Sequence, residues 1–179
     1  IATMQRQVYH CTDLVRATMN FLRNNGSEFS RLPINDIIES CIEVAAPQLR
    51  QNCVEVKLTL ANKLPSVNGD LVLLRQAVLN IVTNACQVLD GCSGPRAIDI
   101  ETLFDNGHVC VSIHDSGPGI PEKLRTKIFN TFFTTKGKAG TGLGLSVVRY
   151  VMRRHGGDVS LRDHVESGAC FVLRFPAAG

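Results

Sequence analysis

The stretch DLVLLRQAVLNIVTNACQVL, residues 70–89, decides how this chain is read. Leu74, Ala77, Val78, Ile81, Val82 and Ala85 recur at three- and four-residue intervals, the period of a helix that buries one face. Asn68-Gly69-Asp70 ahead of it predicts a turn that also supplies cap residues. Inside the apolar pattern stand Asn80 and Asn84, four apart and therefore on one face. Asparagine competes with the backbone for hydrogen bonds and is a mediocre helix former, so two in an apolar helix need a reason. Two reasons fit. They are buried amides tying loops together, or carboxamide oxygens offered to a hard cation such as Mg²⁺.

Downstream, Ser93-Gly94-Pro95 breaks the chain, and strands follow near 96–104 and 108–114, joined by the hairpin signal Asp105-Asn106-Gly107. Asp115-Ser116-Gly117-Pro118-Gly119 then interrupts regular structure, and residues 121–128 predict a short helix. Residues 130–142, rich in Thr, Gly and Lys, predict a mobile loop; a helix over about 142–155 stops at Gly156-Gly157. Strands near 158–162 and 169–175 close the chain.

Upstream, Val54–Leu60 alternates as a strand, and Pro33 opens a helix with Ile34, Ile37, Ile38, Cys41, Ile42 and Ala45 on one side. Ile1, Met4, Val8, Cys11, Val15, Met19 and Leu22 form a single coiled-coil-like stripe, ended by Asn24-Asn25-Gly26. Such a stripe cannot bury itself and wants a partner helix. The order of elements predicts an α+β fold, a two-layer sandwich of a mixed sheet with helices on one face. Because the chain opens at Ile1 in mid-helix without an initiator methionine, it reads as a fragment.

Composition narrows the function. The chain is 44% hydrophobic and 20% charged, and 19 basic against 16 acidic residues leave a net charge of +3. That balance gives no concentrated basic face for nucleic acid or membrane. No uninterrupted apolar run approaches the ~18 residues of a membrane span, and no signal peptide is present. Seven scattered cysteines without a C-x-x-C pair read as reduced, packed thiols of a cytosolic protein. The five histidines form no ligand-spaced cluster with them.

Two glycine-rich segments carry further chemistry. Asp115 at a strand end can accept a hydrogen bond from an exocyclic amino group, with Gly117 and Gly119 letting the backbone approach a flat ring. An ordinary Asp-Ser-Gly turn fits that segment equally. Gly140-Thr141-Gly142-Leu143-Gly144-Leu145-Ser146 runs straight into a helix, whose first amides and partial positive charge suit phosphates. No Lys-Ser/Thr pair follows, so this is not a Walker A loop. Lys136 and Lys138 precede it, where either can reach a terminal phosphate or simply face solvent.

Together Asn80-x-x-x-Asn84-Ala85, Asp115-x-Gly117-x-Gly119, Phe129-x-x-Phe132-Phe133 and Gly140-x-Gly142-x-Gly144 resemble the N, G1, F and G2 boxes of sensor histidine kinases. These share the Bergerat ATP-binding fold with gyrase, a class of heat-shock chaperones and the MutL mismatch-repair proteins. Phe132-Phe133-Thr134-Thr135-Lys136 is similar to kinases of the nitrogen-regulation and dicarboxylate-sensing type. The resemblance implies an ATP-binding catalytic domain over residues 33–179 and, over 1–26, part of the second helix of a dimerisation hairpin. It implies ATP and Mg²⁺ as cofactors, with Asn84 on the metal and Asn80 assisting.

By the same resemblance Asp115 bonds the adenine amino group, with Gly117, Gly119 and Ile120 at the ring. Phe129, Phe132 and Phe133 anchor the base of a lid over 130–140 that includes Thr135 and Lys136. Gly140, Thr141, Gly142, Leu143, Gly144 and Leu145 carry phosphate contacts and lid closure. The ATP-hydrolysing relatives carry Glu where this chain has Asn80; a carboxamide has no basicity to activate water. The implied reaction moves the γ-phosphoryl group to a histidine on an upstream hairpin helix, then to a response regulator's aspartate. His10, followed by Cys11 rather than an acidic residue, is a poor acceptor candidate, and His108, His114, His155 and His164 read as structural or surface residues. A homodimer and a cytoplasmic site complete the implied picture, as the cytosolic part of a membrane-anchored sensor if one precedes it. The rival readings are an ATPase of the same fold and a regulatory module that binds nucleotide only as a ligand.

Overall fold

The computed structural model describes residues 29–137, 140–162 and 167–179. The expected dimerisation-helix segment, His10, Lys138 and His164 lie outside these residues. The elements in chain order are β1 (Ser30–Leu32), α1 (Ile34–Gln51), β2 (Glu55–Thr59), β3 (Val67–Gly69), α2 (Leu71–Leu89), β4 (Ala97–Asp105), β5 (His108–Asp115), α3 (Glu122–Arg125), α4 (Gly144–Arg154), β6 (Asp158–Leu161) and β7 (Ala169–Pro176). Five strands form one mixed sheet in the order β2-β4-β5-β7-β6, in which β2 and β4 run parallel and the other neighbours antiparallel.

Period-two alternation divides the sheet into a buried and an open face. Ile98 and Ile100 of β4, Val109, Val111 and Ile113 of β5, and Phe171, Leu173 and Phe175 of β7 point into the core beneath the helices. Asp99, Glu101 and Leu103 take the opposite face of β4. Helix α2 packs between α1 and α4 and over β4 and β5. By length and mean hydropathy α2 could cross a membrane. Here it is the central core helix, with Leu73, Leu74, Ala77, Val78, Ile81, Val82, Ala85, Cys86 and Leu89 buried. The β4–β5 hairpin turns through Asn106 and Gly107, both at positive φ (48° and 79°), as a two-residue loop between twisted strands requires.

Two features outside the sequence reading have clear causes. Asn68 and Gly69, read as a turn, lie in β3, which pairs antiparallel with β1 through Ser30↔Gly69 and Leu32↔Val67. Three-residue strands carry too little alternation to announce themselves. Helix α1, for which the sequence pattern gave no end, continues past Ala45 and through Pro47 to Gln51. Leu49, buried on the same stripe, holds the last turn against the core although Pro47 removes a helical N–H.

The β1–β3 ribbon is locked to the ends of two helices by His155. Its Nδ1 faces the Val151 carbonyl at 2.7 Å and must carry the proton, which leaves Nε2 to accept from the Asp70 N–H at 3.0 Å. Asp70 in turn caps α2, its Oδ1 accepting from the N–H groups of Val72 and Leu73. Phe29 stacks on the imidazole, centroids 4.9 Å apart. A Cβ at Gly69 would come within 2.6 Å of the ring, so only glycine admits this contact. Burial pushes the His155 pKa below its ordinary value. The expectation that His155 is structural is thereby met by geometry. Cys41, Cys86, Cys110 and Cys170 are buried free thiols, and burial raises the Cys41 pKa to about 11.

Candidate functional site

Three segments distant in sequence meet at one edge of the core: the middle of α2, the end of β5, and the chain from Phe129 to the start of α4. The β5 register fixes the first meeting. Asp115 is the last inward-facing residue of β5, opposite Ile98 on β4 and Ala169 on β7. The residue is buried, 5% exposed. Oδ1 accepts from the Gly117 N–H at 2.9 Å and from the Ala169 N–H at 3.4 Å. Among the described residues no partner is recorded for Oδ2. Burial raises the Asp115 pKa above its ordinary value, opposed by those two N–H groups and by nearby His114 and Lys136. A buried carboxylate is costly unless its oxygens meet donors, so Oδ2 is the atom at which a further donor can be received. A Cβ at Gly117 would approach Asp115 Oδ1 to 2.8 Å, which reserves that position for glycine.

On α2, Asn80 and Asn84 are half-buried, on the face turned toward α4 and the loop before it. Asn80 Nδ2 donates to the Gly144 carbonyl at 3.2 Å and so ties the centre of α2 to the first turn of α4. Asn84 Oδ1 accepts from the Lys136 ammonium at 2.6 Å, and Gln87 Oε1 accepts from the same ammonium at 2.8 Å. Lys136 therefore spans the space between the loop and α2. Burial pushes its pKa below the ordinary value, and the Asp115 carboxylate opposes this. Asn80 meets the first reading of the asparagine pair, an amide that ties segments together, while the partner of Asn84 Oδ1 is the Lys136 ammonium.

The phosphate-type loop arrives at α4 as expected, with the helix beginning at Gly144 rather than about two residues earlier. Among the described residues no side chain caps that terminus, Leu143 being the N-cap residue. The Thr141 hydroxyl accepts from the Leu143 N–H at 3.4 Å. Gly142, at φ 66°, lies against the backbone of Phe132 and Phe133, where a Cβ would collide. The Phe132 N–H donates to the Gly142 carbonyl at 2.9 Å.

The phenylalanines part company. Phe129 is buried and meets Phe171 edge-on at 6.3 Å, and Phe133 packs against the core from its margin. Phe132 is 71% exposed and does not anchor the loop through its side chain, contrary to expectation. Its backbone anchors instead, at φ 65° and bonded to Gly142. Ile120 packs on the core beside Gly119, while Thr135 is exposed and Gly140 lies close to Thr134 and Lys136. Gln87 is the site residue that the sequence reading missed. Its position, one turn beyond Asn84, was the available signal.

A separate open space lies on the other side of the sheet. A cleft of about 290 Å³ opens on the uncovered face of the sheet, lined by Asp99, Glu101, His114 and Arg162 among others. The Lys136 ammonium bonds Asn84 and interacts with the Asp115 carboxylate.

Comparison with known proteins agrees with this geometry. The sensor kinase AtoS of Escherichia coli (strain K12) is 30% identical over 98% of this chain. Curated relatives are longer, the chain spanning between 18% and 28% of their length in TmoS and AtoS. Among solved structures, the nucleotide-free catalytic domain of histidine kinase ThkA superposes with a TM-score of 0.74 at 31% identity, covering 85% of this chain and 99% of that one. Full-length ShkA in complex with AMPPNP gives 0.80 at 26% identity over 94% of this chain and 36% of that one. A ThkA structure in complex with the response regulator TrrA gives 0.74 at 26% identity over 96% of this chain and 49% of that one. The model of the histidine kinase-, DNA gyrase B- and HSP90-like ATPases matches residues 69–179, which contain Asn80, Asn84, Asp115 and both glycine segments, and the chain belongs to that family.

Proposed function

We propose that this chain is the ATP-binding catalytic unit of a sensor histidine kinase, occupying residues 33–179. It positions the γ-phosphoryl group of Mg-ATP for transfer to a histidine on a dimerisation hairpin, from which it passes to a response regulator's aspartate. The observation that carries the reading is the buried Asp115 carboxylate. It is fixed through one oxygen by Gly117 and Ala169, and its other oxygen has no recorded partner among the described residues. An adenine amino group supplies the donor that this oxygen needs, with Gly119 and Ile120 beside the ring. That the similar kinase ShkA is in complex with AMPPNP supports a nucleotide as the ligand of this chain.

The remaining residues fit the rest of the ligand. The uncapped start of α4 offers the amides of Gly144, Leu145 and Ser146 to phosphate oxygens, where the helix dipole favours negative charge. Thr141, Gly142 and Leu143 bring the loop to that terminus, and Gly140 lets it pass close to Thr134. Asn84 Oδ1 is a hard oxygen already engaged by the Lys136 ammonium, which stands in for a metal ion at that atom. Bound there with Asn80 nearby, Mg²⁺ would neutralise phosphate charge and orient the terminal group. Lys136 adds a positive charge next to this position, and Thr135 and Phe133 carry it at the loop base.

Asn80 favours transfer over hydrolysis. Its amide donates to Gly144, and a carboxamide cannot take a proton from water. With no general base on α2 at this point, the unit contributes positioning and electrostatic stabilisation while the nucleophile comes from outside. A response-regulator receiver domain as partner is supported by the ThkA complex with TrrA. Homodimerisation through a preceding hairpin and a cytoplasmic site belong to the same proposal.

The test is to incubate the chain with γ-labelled Mg-ATP and a separate hairpin bearing an acceptor histidine. Acid-labile label on the hairpin is the expected result. Tight nucleotide binding without label on the hairpin indicates a regulatory nucleotide-binding module. Steady phosphate release without a hairpin indicates an ATPase.

A further inference from the structure

Lys136 is held unusually well for a lysine in a glycine-rich loop. Its backbone N–H donates to the Thr134 hydroxyl at 3.0 Å, which fixes where the side chain starts. A Cβ at Gly140 would stand only 3.2 Å from the Lys136 Cβ, so the returning chain confines it from the other side. The ammonium ends between two acceptors on α2, Asn84 Oδ1 at 2.6 Å and Gln87 Oε1 at 2.8 Å. These residues are three apart on one helix and thus neighbours on its surface. Both acceptors are neutral. They hold the ammonium by hydrogen bonds without neutralising its charge, so it leaves them far more easily than it would leave a carboxylate.

We propose that Gln87 is a positioning residue that retains Lys136 beside the metal-binding oxygen of Asn84, so that a divalent cation arriving at Asn84 displaces the lysine toward the phosphates. The inference rests on the nucleotide-site reading given above. Its physical basis is competition for one atom. Asn84 Oδ1 cannot hold an ammonium at 2.6 Å and a divalent cation at about 2.1 Å without placing two positive charges in near contact. Gln87 is not displaced by that competition. It keeps a second acceptor within one helical turn, so the lysine moves a short way rather than into solvent. The strength of the Gln87 acceptor thereby sets how readily the site exchanges lysine for metal. A neutral amide permits exchange, whereas a carboxylate at 87 would retain the lysine as an ion pair.

The experiment uses the whole chain and three forms: the unmodified protein, Gln87→Met, which keeps length and loses the oxygen, and Gln87→Glu. The first readout needs neither metal nor nucleotide. Acylation of Lys136 by an amine-reactive ester is followed by peptide mass spectrometry, with exposed Lys57 and Lys63 as references. Gln87→Met is expected to speed Lys136 labelling by roughly threefold or more and Gln87→Glu to slow it, following the loss or strengthening of a charge-assisted bond. The second readout is calorimetric titration with Mg-ADP, which brings the metal without the γ-phosphate and so weights the readout toward metal exchange at Asn84. Gln87→Glu is expected to weaken Mg-ADP binding about tenfold and Gln87→Met to leave it equal or tighter. Asp115→Asn serves as the control for the parent reading. If the unmodified chain binds no magnesium nucleotide, the nucleotide-site reading fails. If it binds, Asp115→Asn does not, and both Gln87 variants label and bind like the unmodified chain, only the role of Gln87 is overturned.

Discussion

Replacing Asp115 by asparagine separates what the site does for a ligand from what it costs the protein. The substitution keeps the shape and retains an Oδ1 to accept from the N–H groups of Gly117 and Ala169. It turns the remaining oxygen, the proposed partner of the adenine amino group, into a second donor. A hydrogen bond to a charged acceptor contributes about 1.5–3 kcal/mol, so affinity for Mg-ATP should fall by about 10- to 150-fold in calorimetry. The ligand-free protein should respond in the opposite sense. Burial raises the folded-state pKa of Asp115, so the folded protein holds this proton more tightly than the unfolded chain. Stability contributed by that proton is lost as pH rises from the ordinary carboxyl value of 3.8 through the raised one. Asp115→Asn has no proton to lose. Its melting temperature should therefore equal or exceed that of the unmodified chain at neutral pH, and the gap should widen over that window and flatten above it. Affinity changed by less than threefold would refute adenine recognition by Asp115. Affinity and melting temperature falling together would show instead that the carboxylate is only a structural acceptor.

Other consequences can be checked with the same preparations. Gly142→Ala forces a side chain into φ 66° and against the Phe132 backbone; it should destabilise the protein by about 1 kcal/mol or more and weaken Mg-ATP binding, both measurable by thermal shift with and without ligand. Asn80→Asp replaces the donor to Gly144 with a carboxylate; it should weaken nucleotide binding through repulsion of phosphate, and measurable phosphate release would show that a base at 80 suffices for hydrolysis. His155→Gln should cost about 1–3 kcal/mol in urea denaturation above pH 6.5, because the Asp70 N–H and Val151 carbonyl lose well-placed partners. The depressed His155 pKa means that this stability is complete above the ordinary value of 6.5 and is lost as pH falls through it toward the folded value, so the difference between the two proteins should shrink on acidification. Phe132→Ala should change melting temperature little, since the ring is exposed and the anchoring is made by the backbone.

The chemistry of this site was legible because it depends on residue types that local structure alone does not favour. Two asparagines in an apolar helix, a carboxylate ending a strand before alternating glycines, and a glycine-rich run entering a helix each break a local rule, and such breaks mark sites. The two-layer architecture was legible for the opposite reason. The periods of 3.6 and 2 state directly which faces of α2, β4, β5 and β7 must be buried. What escaped was set by partners distant in the chain. Ser30–Leu32 and Val67–Gly69 are too short to show a period and become strands only by pairing with each other. Pro47 stays helical because Leu49 beyond it reaches the core. Phe132 turns outward because its backbone, at positive φ, is spent on Gly142.

By itself the sequence determined the longer elements, the buried faces and the residue types able to meet a base, a phosphate and a cation. Only the tertiary structure decided which atoms face one another: that Asn80 holds Gly144, that Asp115 is satisfied on one oxygen by β7, and that Lys136 crosses to Asn84 and Gln87. Periodicity is a property of neighbours along the chain, whereas a hydrogen bond between residues 49 to 64 positions apart exists only once sheet register and helix packing have brought them within about 3.5 Å.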